Sequence, residues 1–129
     1  MARASLEQCL ELAAAAYQQR DFDTARAHAE KACKLAPESV DAWDFLAMSA
    51  QENGDAPTAE RACKKALKLA RQACEKNPRD GKMALRQLFL LMRLDRKDEI
   101  EALLALLQER HPDSPGLKKL VTTYRMRFK

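Results

Sequence analysis

The 129 residues predict an all-α solenoid, and three features carry that expectation. The first is an internal repeat: Cys9, Leu12, Ala13, Asp21, Ala25, Ala32 and Leu35 are matched 34 positions later by Trp43, Leu46, Ala47, Asp55, Ala59, Ala66 and Leu69. Apolar meets apolar, small meets small and acid meets acid. The second is helical composition, rich in alanine, leucine and charge, with five Pro and three Gly falling mostly at expected helix ends. The third is apolar spacing of three and four residues through most of the chain. A unit of this length holding two helices cannot bury its apolar face alone, so copies must stack.

The elements follow in order. Ser5 with Gln8 three residues on reads as a capping box, opening a helix to about Gln19. Asp21 caps a second helix, which Pro37 ends two or three residues early. Trp43 to Gln51 forms a third, closed by Asn53-Gly54. Asp55 caps a fourth, with Pro57 in its first turn, where a missing N–H costs little.

In the fourth helix, apolar or small residues at 59, 62, 63, 66, 67, 70, 73 and 74 make one stripe, so it should continue to about Lys76. A break near Ala70 is disfavoured because that stretch lacks Gly, Pro and Ser. Asn77-Pro78-Arg79-Asp80 then turns the chain. Leu85 to Leu94 is a fifth helix, apolar nearly all round and therefore to be covered on more than one side. Asp95 or Asp98 caps a sixth, with Ile100, Leu103, Leu104 and Leu107 inward. Ser114-Pro115 opens a seventh with the stripe Leu117, Leu120, Val121, Tyr124 and Phe128.

Trp43-x-x-Leu46-Ala47, Gly54-Asp55, Ala59 and Ala66 resemble the tetratricopeptide pattern, as do Leu12-Ala13, Tyr17, Asp21-Phe22-Asp23, Ala25, Ala32 and Pro37 one repeat earlier. The resemblance implies a right-handed α-solenoid of about three helix pairs in a single domain, residues 1–129, with repeats at 6–39, 40–73 and 81–114. The seven residues 74–80 are then a helical insertion that lengthens the fourth helix by about 10 Å without changing its face. Residues 115–129 become the capping helix. Three departures stand out: Arg71 occupies the place of the family's terminal proline, Gln87 that of a leucine and Asp95 that of a glycine.

Sharper chemistry is not indicated. Cys9, Cys33 and Cys63 align with Trp43, Leu67 and Ala29, which makes them core residues, and Cys74 lies on the extended stripe. There is no C-x-x-C pair, and His28 and His111 stand 83 residues apart, so metal spacing is absent. Ser5, Ser39 and Ser114 read as helix caps, Ser49 as a small packing residue, and the glycines as turn residues. The carboxylates read as members of solvated helix faces. No catalytic set, cofactor or metal is expected. Apolar runs are too short for a signal core or a membrane span, which points to a cytoplasmic protein.

The resemblance also supplies a candidate site. In this family the first helix of each pair lines the concave surface with its second, fifth, sixth, ninth and twelfth residues. Those are Glu7, Leu10, Glu11, Ala14 and Tyr17; Asp41, Asp44, Phe45, Met48 and Gln51; and Lys82, Leu85, Arg86, Phe89 and Met92. The peptide-binding candidates are Leu10, Ala14, Tyr17, Phe45, Met48, Lys82, Leu85, Arg86, Phe89 and Met92. Apolar residues at exposed positions imply an apolar or amphipathic peptide partner, held by a non-catalytic interaction scaffold or chaperone-like adaptor. A competing reading packs Leu85, Phe89 and Met92 as ordinary core. Lys82 and Arg86 match two basic positions of the subclass that clamps chaperone-tail carboxylates, but Leu10, Ala14 and Phe45 stand where it has lysine and two asparagines. The full clamp is therefore rejected.

Charge suggests two alternatives. Residues 1–60 carry 5 basic and 11 acidic side chains, and residues 61–129 carry 18 and 8, so a net −6 faces a net +10 and the sum is +4. Lys64, Lys65, Lys68, Arg71 and Lys76 on the fourth helix, and Lys118, Lys119, Arg125, Arg127 and Lys129 on the last, could hold nucleic acid or another polyanion. Nucleic acid is disfavoured because neither basic helix interleaves rings that stack on bases. The other alternative is self-assembly into a homo-oligomer through the last helix, with Met126 and Phe128 near its end.

Overall fold

The computed structural model describes residues 2–127, with side chains from Leu6 onward. Among these residues there are seven helices and no strand: α1 (Ala2–Gln18), α2 (Phe22–Leu35), α3 (Val40–Glu52), α4 (Ala56–Lys76), α5 (Gly81–Arg93), α6 (Lys97–Arg110) and α7 (Pro115–Arg127). They form two compact units, one ending at Leu94 and one beginning at Asp95.

In the first unit each helix packs on the next, α1 on α2, α2 on α3, α3 on α4 and α4 on α5, and α1 also reaches α3. Alanine makes this close stacking possible: Ala13, Ala25, Ala29, Ala32, Ala42, Ala47, Ala50, Ala66 and Ala70 are fully buried. Small side chains let helix axes approach to the short end of the usual spacing. Larger groups fill the remaining space, with Leu46, Cys63, Leu67, Leu88, Leu90 and Leu91 buried. Arg26 fastens the two hairpins, its Nη2 2.8 Å from Asp55 Oδ2 and its Nε 3.0 Å from Glu30. Asp55 is held below the usual carboxylate range by hydrogen bonds from Thr58 and then from Arg26.

Two kinds of turn recur. Arg20, Gly54 and Asp95 occupy the left-handed region, with φ of 65°, 79° and 55°. Each is followed by the N-cap of the next helix, Asp21, Asp55 and Arg96. The return turns carry Pro37, Pro78 and Pro112, and in each the cap residue donates its N–H back three residues: Ser39 to Ala36, Asp80 to Asn77 and Ser114 to His111. Left-handed residues 20 and 54 stand 34 apart, and 54 and 95 stand 41 apart; for the prolines the order of these two spacings is reversed. The seven extra residues therefore lie inside α4, which has 21 residues against 14 in α2 and in α6. Pro78 is the terminal proline displaced from position 71.

Four helix starts differ from the sequence reading. α1 begins at Ala2, placing Ser5 inside it rather than at its cap, because Ala2, Arg3 and Ala4 are good helix formers. The Ser5 side chain lies outside the described residues. α3 begins at Val40, with Ser39 accepting from Ala42, and α5 begins at Gly81, with Asp80 accepting from Met83. α6 is capped by neither Asp95 nor Asp98: Asp95 takes the left-handed position, and Arg96 becomes an N-cap without a side-chain capping bond, its guanidinium donating to Glu99 instead.

In the second unit α6 packs on α7. Ile100, Leu104 and Leu107 are buried on one, Val121 and Tyr124 on the other. Met126 is exposed, while Phe128 and Lys129 lie outside the described residues. No described helix is long and apolar enough to cross a membrane.

Candidate peptide-binding groove

The groove is built where charged side chains of α3 and α5 meet. Ser39 starts α3, and Trp43 Nε1 donates to the Pro37 carbonyl at 2.8 Å, which fixes the helix entry. Asp41 and Asp44 are then about one turn apart. On α5, Arg86 and Arg93 are seven residues apart, about two turns, and so share a face. Across the two helices Arg86 Nη1 donates to Asp44 Oδ2 at 2.7 Å, and Arg93 Nη1 to Asp44 Oδ1 at 2.6 Å. Arg86 Nη2 also lies 2.7 Å from Asp41 Oδ1, an ion pair without hydrogen-bond alignment.

Asp44 is only 8 % exposed, which corrects the expectation that the acids lie on solvated faces. Its two oxygens are each met by a guanidinium, the condition under which a buried carboxylate is tolerated. Two aspartates and two arginines cancel, so these groups do not present net charge to a ligand. Lys82 remains exposed and has no ion-pair partner among the described residues.

Beside this network lies a cleft of about 370 Å³ lined by Lys82, Leu85, Arg86 and Phe89, together with Asp44, Leu90 and Arg93. Leu85 is 41 % and Phe89 46 % exposed, although Leu88, Leu90 and Leu91 on the same helix are buried. Packing of Leu85 and Phe89 as ordinary core is thereby excluded.

Four of the ten sequence candidates thus share the cleft. The other six, Leu10, Ala14 and Tyr17 on α1, Phe45 and Met48 on α3, and Met92 on α5, are half-buried and outside its lining. Tyr17 packs edge-on against Phe22, with centroids 5.2 Å apart. The repeat spacing places Ala14, Met48 and Phe89 at corresponding positions, and likewise Leu10 and Asp44. Sequence reasoning missed Arg93 and the bridging role of Asp44. The available signal was the i, i+3, i+7 set Arg86, Phe89 and Arg93, which puts two cations and one ring on one helix face.

The four cysteines are free thiols, Cys74 half-buried and the others buried. Burial, followed by the nearby Glu30, pushes the Cys33 thiol up to about 11.

Helices stacked through alanine, with left-handed and proline turns recurring every 34 or 41 residues and an open cleft on α5, define a helical-repeat protein. Residues 6–50 match the family model of the tetratricopeptide repeat. The fold is similar to that of the solved Arabidopsis OM64 TPR domain, at 20% sequence identity over 99% of this chain and 100% of that one, with a TM-score of 0.61. No curated protein matches the sequence. Residues 6–50 thus carry the tetratricopeptide repeat, within an all-α repeat fold like that of a solved TPR domain. Such repeats generally mediate protein–protein interaction.

Proposed function

We infer that this chain is a non-catalytic scaffold or chaperone-like adaptor that seats an apolar or amphipathic peptide segment in the cleft on α5. The observation that carries the reading is the exposure of Leu85 and Phe89 beside a charge network already satisfied within the protein. Full burial of one such side chain is worth about 1.5–3 kcal/mol, so a ligand covering both half-exposed groups gains a comparable sum. Lys82 supplies a site for one carboxylate of the ligand. Arg86 is occupied by Asp41 and Asp44, so a ligand acid competes with the protein's own carboxylates there. The half-buried Met48 and Phe45 extend the apolar surface along α3. The free thiols fit a reducing compartment such as the cytoplasm.

Selection from a displayed peptide library against the immobilised chain tests this reading. Enriched peptides should carry a large apolar residue, and their affinity should fall about tenfold or more with Phe89→Glu while helical circular dichroism is unchanged. Binding that survives both Leu85→Glu and Phe89→Glu places the partner elsewhere.

A further inference from the structure

A second apolar surface lies on the outer edge of the first hairpin, away from the residues of the α5 cleft. Leu12 on α1 is 50 % exposed and Leu35 on α2 is 44 % exposed. They border a cavity of about 360 Å³ that also touches Cys9, His28, Lys31 and Lys34. The internal repeat says what belongs there. Thirty-four residues on, Leu46 is 7 % exposed and Leu69 half-buried, although each hairpin has the same internal partner, α1 with α2 and α3 with α4. The second hairpin differs in having the preceding α2 packed on α3, besides α1 reaching α3 and α5 packed on α4.

Polar groups make the same comparison. Asp55, the N-cap of α4, receives Arg26 from α2 at 2.8 Å. Its counterpart Asp21 caps Thr24 through Oδ1 at 3.3 Å and has no cation beside it among the described residues. The edge of the first hairpin therefore repeats the apolar and the acidic half of an interface whose other half is seen once, as α2. Lys31 and Lys34 on the rim add a preference for carboxylates on the occupant's flank, where α2 carries Glu30.

We propose that the edge formed by Leu12, Leu35 and Asp21 is a docking surface for a partner α-helix of the α2 kind. That helix has an alanine-faced stripe, an arginine that reaches Asp21 and an acidic flank. Docking continues the repeat interface in trans, covering Leu12 as Leu46 is covered and giving Asp21 the partner that Asp55 already has.

The probe is a side-chain-stapled peptide with the sequence of residues 22–35, since an unconstrained helix of that length is marginal in water. Titrated into the full chain, it should shift the methyl resonances of Leu12 and Leu35. Leu12→Glu should weaken binding about tenfold or more. Asp21→Asn, which keeps a good helix cap while removing the charge, should weaken it severalfold. Replacing the peptide's arginine by glutamine should have the same effect, and should have none on the Asp21→Asn chain. Equal binding by the wild-type and Leu12→Glu chains overturns the proposal, as does the absence of binding at millimolar peptide. A chain that dimerises through Leu12 in sedimentation velocity yet ignores the peptide also overturns it, in favour of a second copy.

Discussion

Arg93 Nη1 stands 2.6 Å from Oδ1 of Asp44, joining two helices whose residues are 49 positions apart in the chain. Because the two arginines retain 40% and 27% side-chain exposure, they can turn to water when Asp44 is removed. Asp44→Asn should therefore cost about 1–2 kcal/mol in urea unfolding, less than the 3–5 kcal/mol typical of a fully enclosed pair. The same change frees Arg86 and Arg93, so affinity for acidic peptides should rise while affinity for neutral ones stays level. Fluorescence titration of matched peptides checks this.

The three left-handed turn residues give a stability prediction of known sign. Arg20 holds φ 65° and bears a Cβ, which costs about 1–2 kcal/mol in that region, whereas glycine adds about 0.4–1 kcal/mol of unfolded-state entropy. Arg20→Gly should stabilise the fold by several tenths to about 1 kcal/mol on those figures. Asp95→Gly should gain less, since aspartate tolerates the left-handed region. Gly54→Ala should destabilise by about 1 kcal/mol. Chemical denaturation of the three variants measures all of these.

A missing cap is the natural companion. Arg96 is an N-cap whose side chain accepts from no first-turn N–H and instead donates to Glu99 at 3.4 Å, whereas Asp21 and Asp55 hold the N–H groups of Thr24 and Thr58. Arg96→Asp should raise stability by about 1 kcal/mol and slow hydrogen exchange in the first turn of α6.

Alkaline pH should destabilise the protein through Cys33. Its folded-state value of about 11 lies above the ordinary 9.0, so the buried neutral thiol contributes fully below the unfolded value. That contribution is lost as pH rises through about 9 to 11, reaching on the order of 2 kcal/mol at the upper end. Cys33→Ala should flatten the stability profile across this window relative to wild type, as read by urea unfolding at each pH.

The helices were legible in the sequence because their determinants are local. Aspartate and serine caps, proline turns and a continuous stripe through Cys74 locate the six connections between the seven helices to within a few residues. They also assign the seven extra residues to α4. The cap of α6 was misread because two aspartates flank Arg96, and only the left-handed backbone at Asp95 decides between them. The groove was half legible. Helical period puts Lys82, Leu85, Arg86 and Phe89 on one face, but nothing local says that Asp44 turns from solvent to Arg86 and Arg93. That contact joins helices that are not neighbours in sequence, through the reach of two long side chains.

The most direct test maps where a selected peptide touches the chain, by methyl shifts in an isotope-labelled sample. Changes concentrated at Leu85 and Leu90 are the predicted result. Changes confined to Leu12 and Leu35, with the α5 methyl groups unmoved, would contradict the assignment of the cleft as the peptide's seat.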